Sequence, residues 1–315
     1  MKILVTGGSG MVGKCIKDLI DEGLYPTHGF TFLSSNDCDL TNRYETHCYF
    51  QNGCFDYVIH LAANVGGLYK NMNEGIKMFS DNIKMNENVL EACKRYSVNR
   101  GIFVLSSCIY TPSPSKFPMD ESMIHEGPPH PSNEGYAYAK RMLELQCRQY
   151  NKKHNNEYIC LIPVNLYGPH DNFRNGDAHV IPDLMARFHK DKLNNEESIV
   201  FGTGEPLRQF LYAKDFAKLI LSVLLDGTYP TTEPMICCND EVKISKMVDI
   251  LSETMEMDKE KMSFDIDMPN GCMRKTVSNE KLKSIYPDFK FTSLKDGLRE
   301  TYTWFKNNYP TNVRL

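Results

Sequence analysis

Tyr136 and Lys140 stand four residues apart in Gly135-Tyr-Ala-Tyr-Ala-Lys-Arg141, a spacing that puts both side chains on one helix face about a turn apart. An ammonium beside a phenol favours phenolate, so Lys140 is expected to draw the Tyr136 hydroxyl down from its free value of about 10 toward a range useful for proton transfer. Ser106, at the end of a short apolar run, can hydrogen-bond the same substrate oxygen. A Tyr-x-x-x-Lys pair alone is common on helix surfaces. Its meaning changes beside Val5-Thr-Gly7-Gly8-Ser9-Gly10-Met11-Val12-Gly13, which lies between a β-rich run and a helical one. There a glycine turn lets a diphosphate approach the backbone and a helix N-terminus. The two motifs together predict a bound dinucleotide and an acid/base tyrosine near it.

The second β-rich run ends in Leu33-Ser34-Ser35-Asn36, without an acid to bind a ribose 2′-hydroxyl. Hydroxyls and an amide there tolerate a 2′-phosphate, so the expected cofactor is NADP(H). Asp39 and Leu40 follow within reach of the adenine, and Leu61, Ala62 and Ala63 offer small side chains and backbone to the adenosine.

These residues require a scaffold. Short β-rich runs at 2–6, 30–34, 57–61, 101–106 and 158–163 alternate with helical patterns at 11–22, 82–96 and 135–150, the signature of parallel βαβ units. The expected fold is α/β, a doubly wound parallel sheet of Rossmann type, with a smaller α/β substrate lobe at its carboxyl edge. Residues 1–165 are read as the NADP-binding domain, with later segments returning to it, and 166–315 as mainly the substrate lobe. In the later part, helices are expected near 179–190, at 215–225 and at 294–307, with short strands near Ile199 and Phe210.

A formal charge of −4 over 315 residues gives no global basic field for nucleic acid or an anionic membrane, so an anionic ligand must be gripped locally. No apolar run approaches the roughly 18 residues of a membrane span, and the N-terminus reaches glycine too soon for a signal-peptide core. A cytoplasmic protein is expected. Eleven cysteines, an odd number without a Cys-x-x-Cys, read as reduced thiols rather than a disulfide framework or a metal site.

The motifs resemble the extended short-chain dehydrogenase/reductase family over nearly the whole chain. Within it the chain is most similar to the bifunctional 3,5-epimerase-4-reductases of GDP-sugars. That likeness rests on Leu61-Ala-Ala-Asn-Val-Gly-Gly-Leu68, Ser106-Ser-Cys-Ile-Tyr110, Gly127-Pro-Pro-His130, Asn165-Leu-Tyr-Gly-Pro-His-Asp-Asn-Phe173 and Gly202-Thr-Gly-Glu-Pro-Leu-Arg-Gln-Phe210. The animal-type members are nearer, since Thr6-Gly-Gly-Ser-Gly10 replaces a Gly-His-Arg-Gly common in bacterial ones.

The resemblance implies conversion of GDP-4-keto-6-deoxy-D-mannose to GDP-L-fucose, with Ser106, Tyr136 and Lys140 as the reductase triad. It makes Cys108 and His179 the epimerisation pair, Cys108 as base and His179 as acid. The 4-ketone acidifies the hydrogens on C3 and C5, and inversion needs proton removal from one face and return from the other. It further implies that Lys140 binds the nicotinamide ribose, that Pro163, Val164, Asn165, Leu166 and His179 adjoin the nicotinamide, and that Asn165, Arg187, Phe201, Arg208 and Lys275 bind the GDP-sugar. Phe201 stands where relatives often carry tryptophan. Homodimers built from two helices per subunit are usual in the family, which points here to 82–96 and 135–150. Competing readings are a nucleotide-sugar 4-epimerase or 4,6-dehydratase and a non-catalytic NADP-binding scaffold. The first two fit less well because Cys108 and His179 serve no purpose in a 4-epimerase, and Cys108 stands where a dehydratase carries an acid. The scaffold reading is disfavoured by the intact Tyr136 and Lys140.

Overall fold

Ile3, Leu4 and Val5 are fully buried, so β1 (Lys2–Thr6) is apolar on both faces, as a strand covered by helices on either side must be. The computed structural model describes residues 1–227 and 229–315, and among them all side chains except those of Leu68 and Tyr69, the former the last residue of one resemblance segment. After β1 come α1 (Met11–Asp21), β2 (Gly29–Leu33), α2 (Arg43–Gly53), β3 (Tyr57–His60), α3 (Leu68–Asn73), α4 (Gly75–Arg95), β4 (Arg100–Val104), α5 (Glu134–His154) and β5 (Glu157–Pro163). Then follow β6 (Asn165–Tyr167), α6 (Val180–Asn194), β7 (Ser198–Phe201), β8 (Leu207–Tyr212), α7 (Ala213–Leu225), β9 (Met235–Cys237) and β10 (Glu241–Lys243). The chain closes with α8 (Ile244–Met255), β11 (Met262–Asp265), α9 (Glu280–Ile285) and α10 (Leu294–Asn308).

The main sheet is parallel and ordered β2-β1-β3-β4-β5-β9. The order reverses at β1, and the crevice outside the carboxyl ends at such a reversal is where ligands of open α/β sheets bind. Five of its strands are those expected. The sixth, β9, pairs with β5 through Leu161 and Met235, and α7 packs on α1. Segments beyond residue 165 thus complete the first unit. The rest forms a smaller lobe around a second core of Tyr167, Phe173, Met185, Phe188, Phe210, Leu251 and Phe305. Its sheets are β10-β8-β6 and the parallel pair β11-β7. Among the described residues no helix is long and apolar enough to cross a membrane.

The structure departs from the expected boundaries in instructive places. β3 and β4 end at His60 and Val104, one and two residues early, and the residues just beyond turn into the crevice. α4 begins at Gly75 rather than 82. α2 has no counterpart in the sequence reading because it buries only Thr46 and Phe50, too few positions to make a period. Its start is fixed instead by the Asn42 side chain, which accepts from the Tyr44 and Glu45 N–H groups.

Candidate active site

A cavity of about 1070 Å³ runs along the carboxyl ends of the strands, between the sheet and the smaller lobe. Its floor is the turn from β1 to α1. Gly7 has φ +69°, and a Cβ there would lie 2.8 Å from the Ala62 nitrogen; one on Gly13 would lie 2.7 Å from the Gly7 carbonyl oxygen. Only glycine permits this closeness. Gly10 caps α1 without a side-chain hydrogen bond, leaving the first N–H groups of the helix for an anion. Gly7, Ser9, Gly10, Met11, Val12 and Gly13 line the cavity, and so do Ser34, Ser35, Asp39, Leu40, Leu61, Ala62, Ala63 and Pro163 to Leu166. The turn and the small residues along this wall fit a dinucleotide.

Two residues expected at the cofactor do not line the cavity. Gly8 turns to the sheet, where it donates to the Leu33 carbonyl at 2.8 Å and leaves no room for a Cβ against Phe32. Asn36 lies exposed beyond the tip of β2. Just past it, Asp37 folds back so that its carboxylate accepts from Ser34 N–H at 2.9 Å and Ser34 Oγ at 2.6 Å. An acid does therefore reach this tip, from one residue beyond the quartet read in the sequence.

Tyr136 and Lys140 lie on the first turns of α5, with the Lys140 nitrogen 5.8 Å from the Tyr136 ring centre. Lys140 is buried and donates to the Val104 carbonyl at 2.7 Å. Burial pushes its ammonium down to about 8. The expected lowering of the phenol does not occur: burial first, and the neighbouring Cys108 second, push Tyr136 well above the ordinary tyrosine range. Desolvation disfavours the phenolate more than the ammonium at this distance stabilises it. Tyr136 is thus a protonated phenol at neutral pH. Ser106 accepts from the Cys108 N–H at 3.3 Å, which leaves its own proton to donate into the cavity.

A buried relay that sequence reasoning missed holds this helix to the sheet. Asn86 on α4 donates to the Ala139 carbonyl at 3.5 Å, so its oxygen is the acceptor for His60 Nε2 at 3.1 Å. His60 Nδ1 then accepts from Thr6 Oγ1 at 2.8 Å, and Thr6 Oγ1 accepts from the Ala62 N–H at 3.3 Å. Burial and the nearby Lys140 push His60 down to about 3, so the neutral ring serves as a fixed strut between β1, β3, α4 and α5.

Cys108 and His179 enter the cavity from different elements. Cys108 sits on a short turn after β4, which Arg141 ties to α5 by donating to the Ile109 and Gly127 carbonyls. Burial raises its thiol pKa, opposed by Lys275, Ser106 and Lys140. His179 is the N-cap residue of α6, but its imidazole makes no capping bond and faces the cavity. Burial lowers its pKa against Asp177, which raises it. The resting pair is therefore a thiol and a neutral imidazole, not the ion pair.

Of the residues expected at the GDP-sugar, Asn165, Arg208 and Lys275 line the cavity, while Arg187 and Phe201 do not. Arg187 is engaged locally: it donates to Asp183 and to the Ile199 carbonyl, both at 3.0 Å, and its guanidinium covers the Phe201 ring at 5.1 Å. Neither Arg208 nor Lys275 makes an ion pair among the described residues, so both charges remain for a ligand. Their placement depends on side-chain clamps. Glu241 accepts from Arg274 and Thr276, on either side of Lys275. Gln209, next to Arg208, exchanges hydrogen bonds with the Val277 backbone at 2.8 and 2.9 Å. Asn165 donates to the Gln209 carbonyl at 2.9 Å.

Other cavity residues had no signal of their own in the sequence. Asp171 is buried, with Oδ2 lacking a hydrogen-bond partner, and burial pushes its carboxyl up to about 7. Asp177 and Arg314 also line the cavity. The first two lie in and just beyond the Asn165–Phe173 segment, which drew attention as a segment only; Arg314 lies far from every motif.

A family model described as the NAD dependent epimerase/dehydratase family matches residues 3–232. The chain is 44% identical over 312 residues to a GDP-L-fucose synthase from Dictyostelium discoideum, covering 98% of this chain and 96% of that one. It is 38% identical over 318 residues to a probable GDP-L-fucose synthase from Drosophila melanogaster, covering 98% of each. A crystal structure of a GDP-L-fucose synthetase from Naegleria fowleri bound to NADP is similar with a TM-score of 0.91 at 38% identity, covering 100% of this chain and 95% of that one.

Proposed function

The chain belongs to the NAD dependent epimerase/dehydratase family, and from that premise we propose that it converts GDP-4-keto-6-deoxy-D-mannose to GDP-L-fucose. It inverts C3 and C5 and then reduces the C4 ketone with NADPH. The observation that carries this reading is that Ser106, Cys108, Tyr136, Lys140 and His179 line one cavity whose floor is a glycine cradle for a dinucleotide. An acid/base pair beside a reductase triad is what a reaction with both proton exchange and ketone reduction needs.

At each inverted carbon Cys108 removes the proton and His179 returns one to the opposite face. The resting pair carries its shared proton on sulfur, and the working form carries it on nitrogen, with the same proton count and separated charges. Lys275 and Lys140 favour the thiolate, and Asp177 favours the imidazolium. Tyr136, held protonated by burial, donates its proton to O4 while Ser106 donates a hydrogen bond to the same oxygen. Bound along Gly7 and residues 9–13, 34–35, 61–63 and 163–166, NADPH would supply the hydride received at C4. Lys140 meets the nicotinamide ribose. The GDP diphosphate is held by Arg208 and Lys275, with Asn165 at the sugar, so the later lobe selects the substrate.

Incubation with GDP-4-keto-6-deoxy-D-mannose and NADPH tests the reading. GDP-L-fucose, with one NADPH consumed per product, is expected; a 6-deoxy product with unchanged C3 and C5 would reduce the enzyme to a 4-reductase. The same reading carries a homodimer formed through α4 and α5, which pack on each other. Sedimentation at twice the chain mass is expected, and a monomer at micromolar concentration would remove it.

A further inference from the structure

We propose that Arg314, on the segment after α10, is a cofactor-binding residue that grips the diphosphate of the dinucleotide. The proposal rests on the reading that a dinucleotide occupies the glycine cradle.

The segment is pinned by its backbone to the loop that follows β6. Asn172 and Arg314 form a parallel bridge, the Phe173 N–H donates to the Arg314 carbonyl at 2.9 Å, and Arg174 Nε donates to the Leu315 carbonyl at 3.3 Å. That loop is in turn fastened to the last turn of α1: His170 Nε2 meets Asp18 Oδ2 at 3.0 Å, and the His170 ring lies 4.8 Å from Trp304. The fold thus carries Arg314 to the cavity wall beside the helix whose N-terminus faces the cradle.

The chemistry of that wall leaves a charge to be met. The turn from Gly7 to Gly13 carries no charged side chain, and a helix N-terminus supplies roughly half a unit charge against a doubly negative diphosphate. The other Lys and Arg side chains of the cavity sit elsewhere: Lys140 donates to Val104, Lys77 pairs with Asp81 at 2.5 Å, Lys70 on α3 donates to the Val65 carbonyl at 3.3 Å, and Arg208 and Lys275 sit in the later lobe. Arg314 makes no ion pair among the described residues and spends one donor, on the neutral His170 carbonyl at 2.6 Å. A guanidinium has five donors in a planar fork suited to two phosphate oxygens. Beside it Asp171, buried with Oδ2 unpartnered on the same wall, is a ready acceptor that fixes the guanidinium once it turns to the ligand.

The test is the dissociation constant of NADPH, NADH and GDP for the full chain carrying Arg314→Gln or Arg314→Lys, read by cofactor fluorescence or calorimetry rather than by turnover. Arg314→Gln keeps a donor for the His170 carbonyl, and thermal melting checks that each variant folds. Arg314→Gln is expected to weaken NADPH and NADH by the same factor, about tenfold or more. GDP should be unaffected, and Arg314→Lys should recover part of the loss. NADPH binding within twofold of wild type overturns the proposal. So does a loss confined to NADPH, which would place Arg314 at the 2′-phosphate, or a loss confined to GDP, which would place it at the substrate. Wild-type protein that binds neither dinucleotide overturns the cofactor reading itself and the proposal with it.

Discussion

The two walls of the cavity are positioned by different means. On the sheet side, Gly7, Gly13, Leu61 and Ser106 stand where they do because consecutive strands end in register, Thr6 beside both Leu33 and His60. The turn from Gly7 to Gly13 on that side carries no charged side chain and offers backbone. On the lobe side, Arg208 and Lys275 are brought together by clamps between residues far apart in the chain, Glu241 on Arg274 and Thr276, Gln209 on Val277, and Met119 on Thr276. That wall offers charge. The difference teaches that backbone surfaces are placed by the regular part of a fold, whereas charges are placed by the part built from individual side chains.

The sharpest break in this picture is expected from Tyr136→Phe. It removes the proton donor without touching either wall, so ketone reduction should fall at least about a hundredfold, with C3 and C5 exchange persisting; full reduction would refute the donor role. Next, Gly13→Ala drives a Cβ to within 2.7 Å of the Gly7 oxygen and of Gly8. Calorimetry should show NADPH affinity reduced by about tenfold or more, at a stability cost of about 1–3 kcal/mol, and GDP binding largely kept. Glu241→Gln should do the converse, loosening the segment that bears Lys275. The KM for the GDP-sugar is expected to rise by about tenfold while the dissociation constant of NADPH stays put; equal losses of both would show that the walls are not independent. Lys275→Met is the mildest. Since the Lys275 ammonium lowers the Cys108 thiol pKa, its removal should shift the pH profile of Cys108 alkylation to higher pH and slow labelling at pH 8 by a few-fold. Mass spectrometry resolves that peptide from the other cysteines, and an unmoved profile would detach Lys275 from Cys108.

Legibility in the sequence follows the same division. The five central strands and the Tyr136–Lys140 helix declare themselves through apolar period and turn glycines, both local signals. Ser106 and Cys108 lie just past a strand end, where the topology aims chain at a ligand. Arg187 illustrates the limit: its charge is as visible in the sequence as that of Arg208, yet Asp183 one helical turn away and the Phe201 ring engage it, and only coordinates show this. Asp37, His60 and Arg314 were unreadable for a related reason. His60 bridges two strands and two helices and Arg314 is held by a bridge to Asn172, both contacts set by tertiary folding, while Asp37 bends back on Ser34 in a local turn whose side-chain direction only coordinates show. The protonation states of Tyr136 and Lys140 also required the fold, because burial outweighs the neighbouring charge that the four-residue spacing suggested.

The central claim is that one cavity performs both proton exchange and reduction with separable residues. Incubation of GDP-4-keto-6-deoxy-D-mannose in deuterated water with wild type, Cys108→Ser and Tyr136→Phe, with and without NADPH, measures it directly by deuterium content at C3 and C5. The account predicts deuterium at both carbons with wild type and Tyr136→Phe even without NADPH, and little with Cys108→Ser. Exchange at wild-type rate in Cys108→Ser, or NADPH oxidation by wild type with no deuterium at either carbon, would contradict it.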